Sequence, residues 1–283
     1  MLVIVYNYPL YSSIPDLTAL YKNAFPIIMF CGPEKAKNHT VEALPIHEGY
    51  FAYTCMSLAM EKHPGYSGYL LTNDDVILNY WNLVGLKRGK IWEGPKKPIL
   101  FKDYGMRSKK WHWWDTPWGV TTCQNAYNEL WTLRESNPEK LLPEMINTHE
   151  EERADPRSMV WNKLCFRGRS DVFYIPGKFS DAFITLSNVF YKHRSFLEIA
   201  VPTICRMLDV EENFEYISGV YIPGLPGDAL VRKAEYFWEV YNKKLAFVHP
   251  FKLNYEGDGT LNCILLRSWI IEYSDSLSKC ERN

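Results

Sequence analysis

The chain has 283 residues, with 32 basic and 33 acidic side chains and a formal net charge of −1. That balance gives no electrostatic footing for nucleic acid or a membrane surface as a partner, and the length supports one large α/β domain with a sizeable core. Aromatic residues make up 15% of the chain, including 10 Trp and 19 Tyr, more than a core needs, and such rings suit contact with sugars as well as burial.

Leu2-Val3-Ile4-Val5-Tyr6 is a continuous apolar run, the pattern of a strand buried on both faces, and it ends at Asn7 and Pro9. Ile14, Leu17, Leu20 and Tyr21 are spaced as one face of a short helix over 14–23. A second strand is predicted over Pro26–Phe30, closed by Cys31-Gly32-Pro33, a third over Val41–Ile46, and a helix over Phe51–Lys62. After the turn-forming Pro64–Gly68, Tyr69-Leu70-Leu71-Thr72 reads as another buried strand. It stops in Asn73-Asp74-Asp75, and a second apolar run, Val76 to Leu78, follows at once. The order β-α-β-β-α-β is that of a Rossmann-like sheet, and it puts the polar triplet at the carboxyl end of a strand, where open α/β sheets bind ligands. Two adjacent carboxylates there are costly unless a positive charge sits between them, and a hard divalent cation is the usual answer. The plain alternative is an Asp-rich turn capping the next element. There is no GxGxxG and no Walker glycine loop, so dinucleotide redox chemistry and P-loop phosphoryl transfer find little support.

From about Trp81 to Lys110 the pattern weakens, with a short strand predicted at Ile99-Leu100-Phe101. Trp111, Trp113, Trp114 and Trp118 then fall within eight residues, either a platform for sugar rings or a hairpin packing its indoles inward. Thr122–Glu135 reads as a helix, and Asn137-Pro138 and Asp155-Pro156 as two helix starts, in a stretch over 120–168 that has the look of an insertion shaping one side of the site. Phe166-Arg167-Gly168-Arg169 is a surface loop or a diphosphate contact. Asp171–Pro176 reads as a strand, and a helix capped by Ser180 or Asp181 runs through Tyr191. Glu198 is a lone carboxylate in the apolar run Phe196–Pro202; burial there would raise its pKa and suit it to proton transfer, while an exposed first-turn Glu is the alternative. Asp228 is a candidate cap for a helix to Asn242. Ala246-Phe247-Val248 is the last predicted strand, ending in His249-Pro250-Phe251-Lys252, and 261–270 is apolar enough for a terminal helix.

The seven cysteines are scattered and form no CxxC pair, so a zinc site is not expected and the redox compartment stays open. No signal peptide or membrane span is recognisable, and Asn38-His39-Thr40 is a glycosylation sequon that matters only in the secretory pathway. The chain is therefore expected to be cytoplasmic, or a catalytic domain cut from a longer anchored chain of the Golgi or secretory lumen, touching a membrane only through a segment it does not contain.

Asn73-Asp74-Asp75 after a central strand, with a later His249, resembles the nucleotide-sugar glycosyltransferases of the GT-A fold, and Gly68–Val76 is loosely exostosin-like. The resemblance spans roughly residues 2–255, and the motif departs from Asp-x-Asp in carrying Asn73 first. It implies an α/β GT-A mixed sheet flanked by helices in a single catalytic domain. Residues 1–119 would form the nucleotide-sugar-binding half and 120–283 the acceptor-side half. It implies a metal-dependent hexosyl- or N-acetylhexosaminyl-transferase moving sugar from a nucleotide-diphosphate donor, UDP-sugar expected, to a hydroxyl of a glycan or glycoconjugate. Asp75, Asp74 and His249 would hold Mn2+ or Mg2+; Tyr6, Asn7, Asn73, Asp74 and Lys252 would touch the donor; Glu198 would be catalytic; Trp113, Trp114 and Trp118 would meet the acceptor. A nucleotidyltransferase ranks lower, because Tyr6-Asn7-Tyr8-Pro9-Leu10 is neither glycine-rich nor basic. The rival from another class is a non-catalytic carbohydrate-binding or scaffolding protein on a degenerate GT-A fold, for which Asn73 is the best support.

Overall fold

The computed structural model describes residues 1–101, 111–136, 165–222, 233–254 and 258–280. Its centre is a seven-stranded mixed sheet. Strands β1 (Leu2–Val5), β2 (Ile28–Gly32), β3 (Glu42–Ala43) and β4 (Gly68–Asn73) run parallel, with β1 between β2 and β4. Two short strands outside this sheet, β5 (Ile77–Leu78) and β7 (Ile99–Leu100), flank β6 (Ile91–Glu93) in sequence. Strand β7 pairs with β8 (Phe166–Arg167). Strand β9 (Val172–Pro176) is antiparallel to both β4 and β6, and β10 (Phe214–Tyr216) closes the sheet beside β6. The order is β10-β6-β9-β4-β1-β2-β3, so β9 and β10, from after residue 120, share one sheet with the strands from before it.

The continuous apolar run of β1 follows from burial on both faces. Val3 and Val5 point into one core with Cys31, Leu71 and Phe173, while Leu2, Ile4 and Tyr6 point into the other with Phe30, Leu70 and Val172. The first face is covered by α2 (Tyr53–Lys62), α3 (Val120–Ser136), α4 (Ser180–Lys192) and α5 (Leu197–Leu208). The second is covered by α1 (Ile14–Tyr21), α6 (Ala234–Val240) and the helix beginning at Asp258. The expected α/β mixed sheet flanked by helices is thus the observed architecture.

Several expectations need correction. The third strand shrinks to Glu42–Ala43, because Pro45 cannot donate to a ladder and β2 reaches it only at Cys31 and Gly32. The second strand starts at Ile28 and includes Cys31 and Gly32, since β1 carries its register as far as Val5↔Cys31. The terminal helix runs from Asp258 to Cys280 with a π-type segment at Leu266–Ile271. Four scattered cysteines pair, Cys31 with Cys55 and Cys123 with Cys165, leaving Cys205 buried and Cys263 half-buried as free thiols among the described residues. The caps expected at Asn137, Asp155 and Asp228 lie outside the described residues. Among the described residues, no helix is long and apolar enough to cross a membrane.

Candidate functional site

In this strand order the chain leaves β1 to one side for β2 and β3, then returns on the other side as β4. The carboxyl ends of β1 and β4 therefore flank a topological switch point, where ligands enter open α/β sheets. Asn7 follows one end, and Asn73-Asp74-Asp75 forms the other. The backbone fixes the triplet from both sides: the Asn73 N–H donates to the Asp171 carbonyl (3.1 Å) and the Asp74 N–H to the Val5 carbonyl (2.9 Å).

His249 is brought to this point by a three-stranded sheet of β11 (Gly219–Tyr221), β12 (Phe247–His249) and β5. Strand β12 is antiparallel to β5, pairing Val248 with Ile77, so the next residue on β12 arrives beside the acidic turn. His249 Nε2 stands 3.4 Å from Asp75 Oδ1 and 3.6 Å from Asp171 Oδ1. The Phe251 N–H donates to the Asp75 carbonyl (2.5 Å), and the Lys252 ammonium pairs with Asp75 Oδ2. Asn262 holds that segment by donating to the Lys252 carbonyl (2.8 Å).

The charges sort the carboxylates. Burial opposes ionisation of Asp75, but His249 and Lys252 outweigh it and hold the carboxyl well below the usual range. Asp74 is pushed up to about 8, by burial and then by the charge of Asp75, against the pull of Lys252 and of the Asn7 backbone N–H. Burial would lower the His249 pKa, yet the Asp171 and Asp75 charges prevail and raise it.

Glu198 lies in the first turn of α5, whose N-terminal amides are met by backbone carbonyls: the Phe196 N–H donates to Trp118 (2.9 Å) and the Leu197 N–H to Tyr50 (2.8 Å). A helix N-terminus favours an anion, but Glu198 is only 9% exposed. Burial, then the Asp171 charge, raises its pKa to about 7, with Arg169 and His249 opposing. Arg169 Nη1 reaches Glu198 Oε1 at 3.3 Å, and its guanidinium lies over the Tyr221 ring at 5.1 Å. Burial and the charges of Asp171 and Glu198 push the Tyr221 phenol well up.

The structure brings Asn73, Asp74, Asp75, His249, Lys252 and Glu198 into one neighbourhood. Asp171, Arg169 and Tyr221 join them; the sequence offered Asp171 only as the start of a strand, and Arg169 as part of a surface loop or a diphosphate contact. Two expectations are corrected. Tyr6 is fully buried, its hydroxyl bonded to Ser13 (2.8 Å) and its ring edge-on to Tyr11, so the ring has no free face for a nucleotide. Trp114 is 3% exposed and packs on Phe101 and Trp111, so it is core and not an acceptor platform. Trp113 and Trp118 are half-buried around Tyr50, and Trp113 stacks on Phe196 (4.5 Å), two residues from Glu198. Asn7 is half-buried, with its Oδ1 aimed at Gly49 and without a hydrogen-bond partner. A cleft of about 430 Å³ opens beyond β1 and β2, lined by Pro9, Tyr11, Ser12, Glu34, Lys35 and Lys37 among others.

The resemblance noted from the sequence implies a divalent cation at Asp75 and His249. Carboxylate oxygens and an imidazole nitrogen are donor types that suit Mn2+ or Mg2+, and Asp171 Oδ2 is buried without a hydrogen-bond partner, but Asp75 Oδ1 already faces His249 Nε2 at 3.4 Å. Among the described residues no three His, Cys, Asp or Glu side chains already converge as a metal requires. The His249 imidazole and the Lys252 ammonium stand against the carboxylates instead, as their counter-charges.

Comparison with known proteins bears on the chemistry. Two curated relatives from Arabidopsis thaliana, named probable glycosyltransferases STELLO1 and STELLO2, are 22% identical over 261 residues and 21% identical over 265 residues. Each match covers 91% of this chain, and the chain spans only 30% of the length of either relative. A solved apo structure of the bifunctional glycosyltransferase WbbM aligns with 97% of this chain and 51% of its own, at 9% identity and a TM-score of 0.42. Residues 1–142, half of the sequence, match the family model of the STELLO glycosyltransferases, and the chain belongs to that family.

Proposed function

We propose that this chain is the catalytic domain of a metal-dependent glycosyltransferase that moves a hexosyl or N-acetylhexosaminyl group from a nucleoside-diphosphate sugar, UDP-sugar expected, to a hydroxyl of a glycan or glycoconjugate. The observation that carries this reading is the convergence of Asp75, Asp171, Glu198, His249 and Lys252 from four separate segments on one switch-point crevice.

Asp75 and His249, with Asp74 beside them, would hold Mn2+ or Mg2+, which when bound supplies positive charge to the diphosphate oxygens. Lys252 adds a second positive charge where the nucleoside diphosphate departs. The cleft beside Tyr11 and Lys35 would give the nucleoside room. The half-buried Trp113 and Trp118 offer ring faces to an acceptor sugar close to Glu198. With a pKa near 7, Glu198 is matched to take the acceptor's hydroxyl proton. As that O–H bond breaks, the acceptor oxygen bonds to the anomeric carbon, and the bond from that carbon to the diphosphate oxygen breaks with its electron pair leaving on the nucleotide. In a configuration-retaining reaction Glu198 would instead orient the acceptor or stabilise the cationic sugar.

The test is thermal unfolding with UDP, GDP and CDP, each with and without Mn2+. A ligand that binds only the folded state raises its apparent stability. The expected result is a shift with one nucleotide, UDP first, that depends on the ion. A folded protein with no shift under any condition would sink the donor reading and favour the non-catalytic one.

A further inference from the structure

The disulfides bear on a motif that the proposed reaction does not use. Cys31, in β2, pairs with Cys55, in α2, and Cys123, in α3, pairs with Cys165, just before β8. All four side chains are fully buried. Their Cα atoms stand 6.1 and 6.2 Å apart, inside the span that a disulfide bridges. Each bridge ties two separate elements of the core, and neither comes from a CxxC motif of the redox or zinc-binding kind. Structural bridges of this sort form and persist in an oxidising compartment, whereas the thiol pools of the cytosol keep cysteines reduced. The compartment that the scattered cysteines left open is thereby narrowed to the secretory lumen or beyond.

Asn38-His39-Thr40 is the single Asn-x-Ser/Thr triplet in the 283 residues, with a middle residue other than Pro. It lies between β2 and β3 in a bend that belongs to no ladder, and Asn38 and Thr40 are both exposed. Strand β3 is the edge of the seven-stranded sheet, so no further strand crowds this side. The loop is pinned at its two ends: the Tyr11 hydroxyl donates to the Glu34 carbonyl (2.6 Å), and the Leu44 N–H to the Gly32 carbonyl (3.0 Å). Between these anchors Lys35, Lys37 and Asn38 face solvent. Among the described residues none hydrogen-bonds to the Asn38 amide. A buried or ladder-bound triplet could not carry a bulky polar group; this one has room for it.

We propose that Asn38 carries an N-linked glycan, added in the same oxidising lumen in which the two disulfides form. In that step Asn38 Nδ2 bonds to the anomeric carbon of an oligosaccharide as the bond from that carbon to its lipid-linked diphosphate breaks. The electron pair leaves on the diphosphate, and the amide passes a proton to a base of the transferring enzyme. Thr40 supplies the hydroxyl that such an acceptor triplet requires. Asn38 also borders the cleft beside Tyr11 and Lys35, so the glycan would stand along the edge of that cleft. The modification is independent of the donor, acceptor and ion of the proposed reaction.

The test expresses the protein from its whole gene, with an epitope tag, in eukaryotic cells and recovers it with free thiols blocked. Wild type should migrate faster after treatment with peptide N-glycosidase F, and peptide mass spectrometry should find Asn38 deamidated by that treatment. Asn38→Gln and Thr40→Ala should each lose the mobility shift, and Thr40→Ser should keep it. The site map of wild type needs no variant, so it decides the matter even if a variant fails to fold. Peptides mapped without reduction should link Cys31 to Cys55 and Cys123 to Cys165. An unmodified Asn38 in protein that carries both disulfides refutes the glycan and leaves the oxidising compartment standing. An unmodified Asn38 with all four thiols blocked refutes both. A mobility shift that survives in Asn38→Gln and in Thr40→Ala puts the glycan elsewhere and overturns the assignment.

Discussion

Replacing Glu198 by Gln removes a charge while keeping shape, and the structure fixes how the effect must vary with pH. The folded state raises this carboxyl from 4.5 to about 7, by burial and then the neighbouring Asp171. That corresponds to about 3 kcal/mol of differential stability. The folded state holds the Glu198 proton more tightly than the unfolded chain does. Its contribution is therefore fully present below pH 4.5 and is lost as pH rises through about 7. Wild type should lose about 3 kcal/mol relative to Glu198→Gln between pH 4.5 and 8. Urea unfolding of both proteins with a chelator present, at several pH values across that window, measures the difference directly. A stability difference that stays constant with pH would refute the reasoning, because it would mean that Glu198 titrates alike in the folded and unfolded chains. Transfer by wild type should rise through the same pH range, since a base must first lose its proton, and Glu198→Gln should transfer about 10²-fold more slowly or worse.

Arg206 donates to both oxygens of Glu93 at 2.9 Å, with both side chains nearly fully buried. Arg206→Met leaves Glu93 buried and unpaired and should cost about 3–5 kcal/mol, most of it recovered by adding Glu93→Leu; a single variant within about 1 kcal/mol of wild type in urea would contradict this. Gly49 has φ +89°, and a Cβ there would land on the Asn7 amide. Gly49→Ala should therefore lower stability by about 1–2 kcal/mol and weaken nucleotide binding by displacing Asn7. An unchanged melting temperature and UDP affinity would show that the turn adapts freely.

The parts of this fold that the sequence announces are those set by one segment's own pattern. β1 and the Tyr69–Leu71 part of β4 are readable because a strand covered on both faces carries an apolar run, and both cores meet there. Glu198 is readable because a lone carboxylate in an apolar run has few ways to be satisfied. Asp171 is not readable in the same way. Its importance depends on β9 running antiparallel to β4 in a register that sets it against Asn73, and nothing within 171–176 encodes a partner about a hundred residues away. The disulfides hide for the same reason, with sequence separations of 24 and 42 and no local motif. The tryptophan run hides differently. His112–Asp115 forms a 3₁₀ turn, whose tight period sends neighbouring indoles to different environments, Trp114 inward onto Phe101 and Trp113 onto Phe196. Composition alone cannot sort them.

The acidic triplet drew attention because two adjacent carboxylates need a positive charge, and the charge balance of the crevice carries that argument further. Among the described residues, Asp74, Asp75, Asp171 and Glu198 face Arg169, Lys252 and His249. Four acids against three cations leave the cluster short of positive charge, and the shortage is met by protons: Asp74 is held up near 8 and Glu198 near 7, while Asp75, in contact with two of the cations, stays ionised. A nucleoside diphosphate entering such a crevice adds further negative charge. Protons cannot meet that demand at neutral pH, because diphosphate oxygens hold them too weakly. Further positive charge can, which is the part proposed above for Lys252 and a divalent cation. On the reading proposed above, an acidic crevice of this kind would need added positive charge before a nucleoside diphosphate could settle in it.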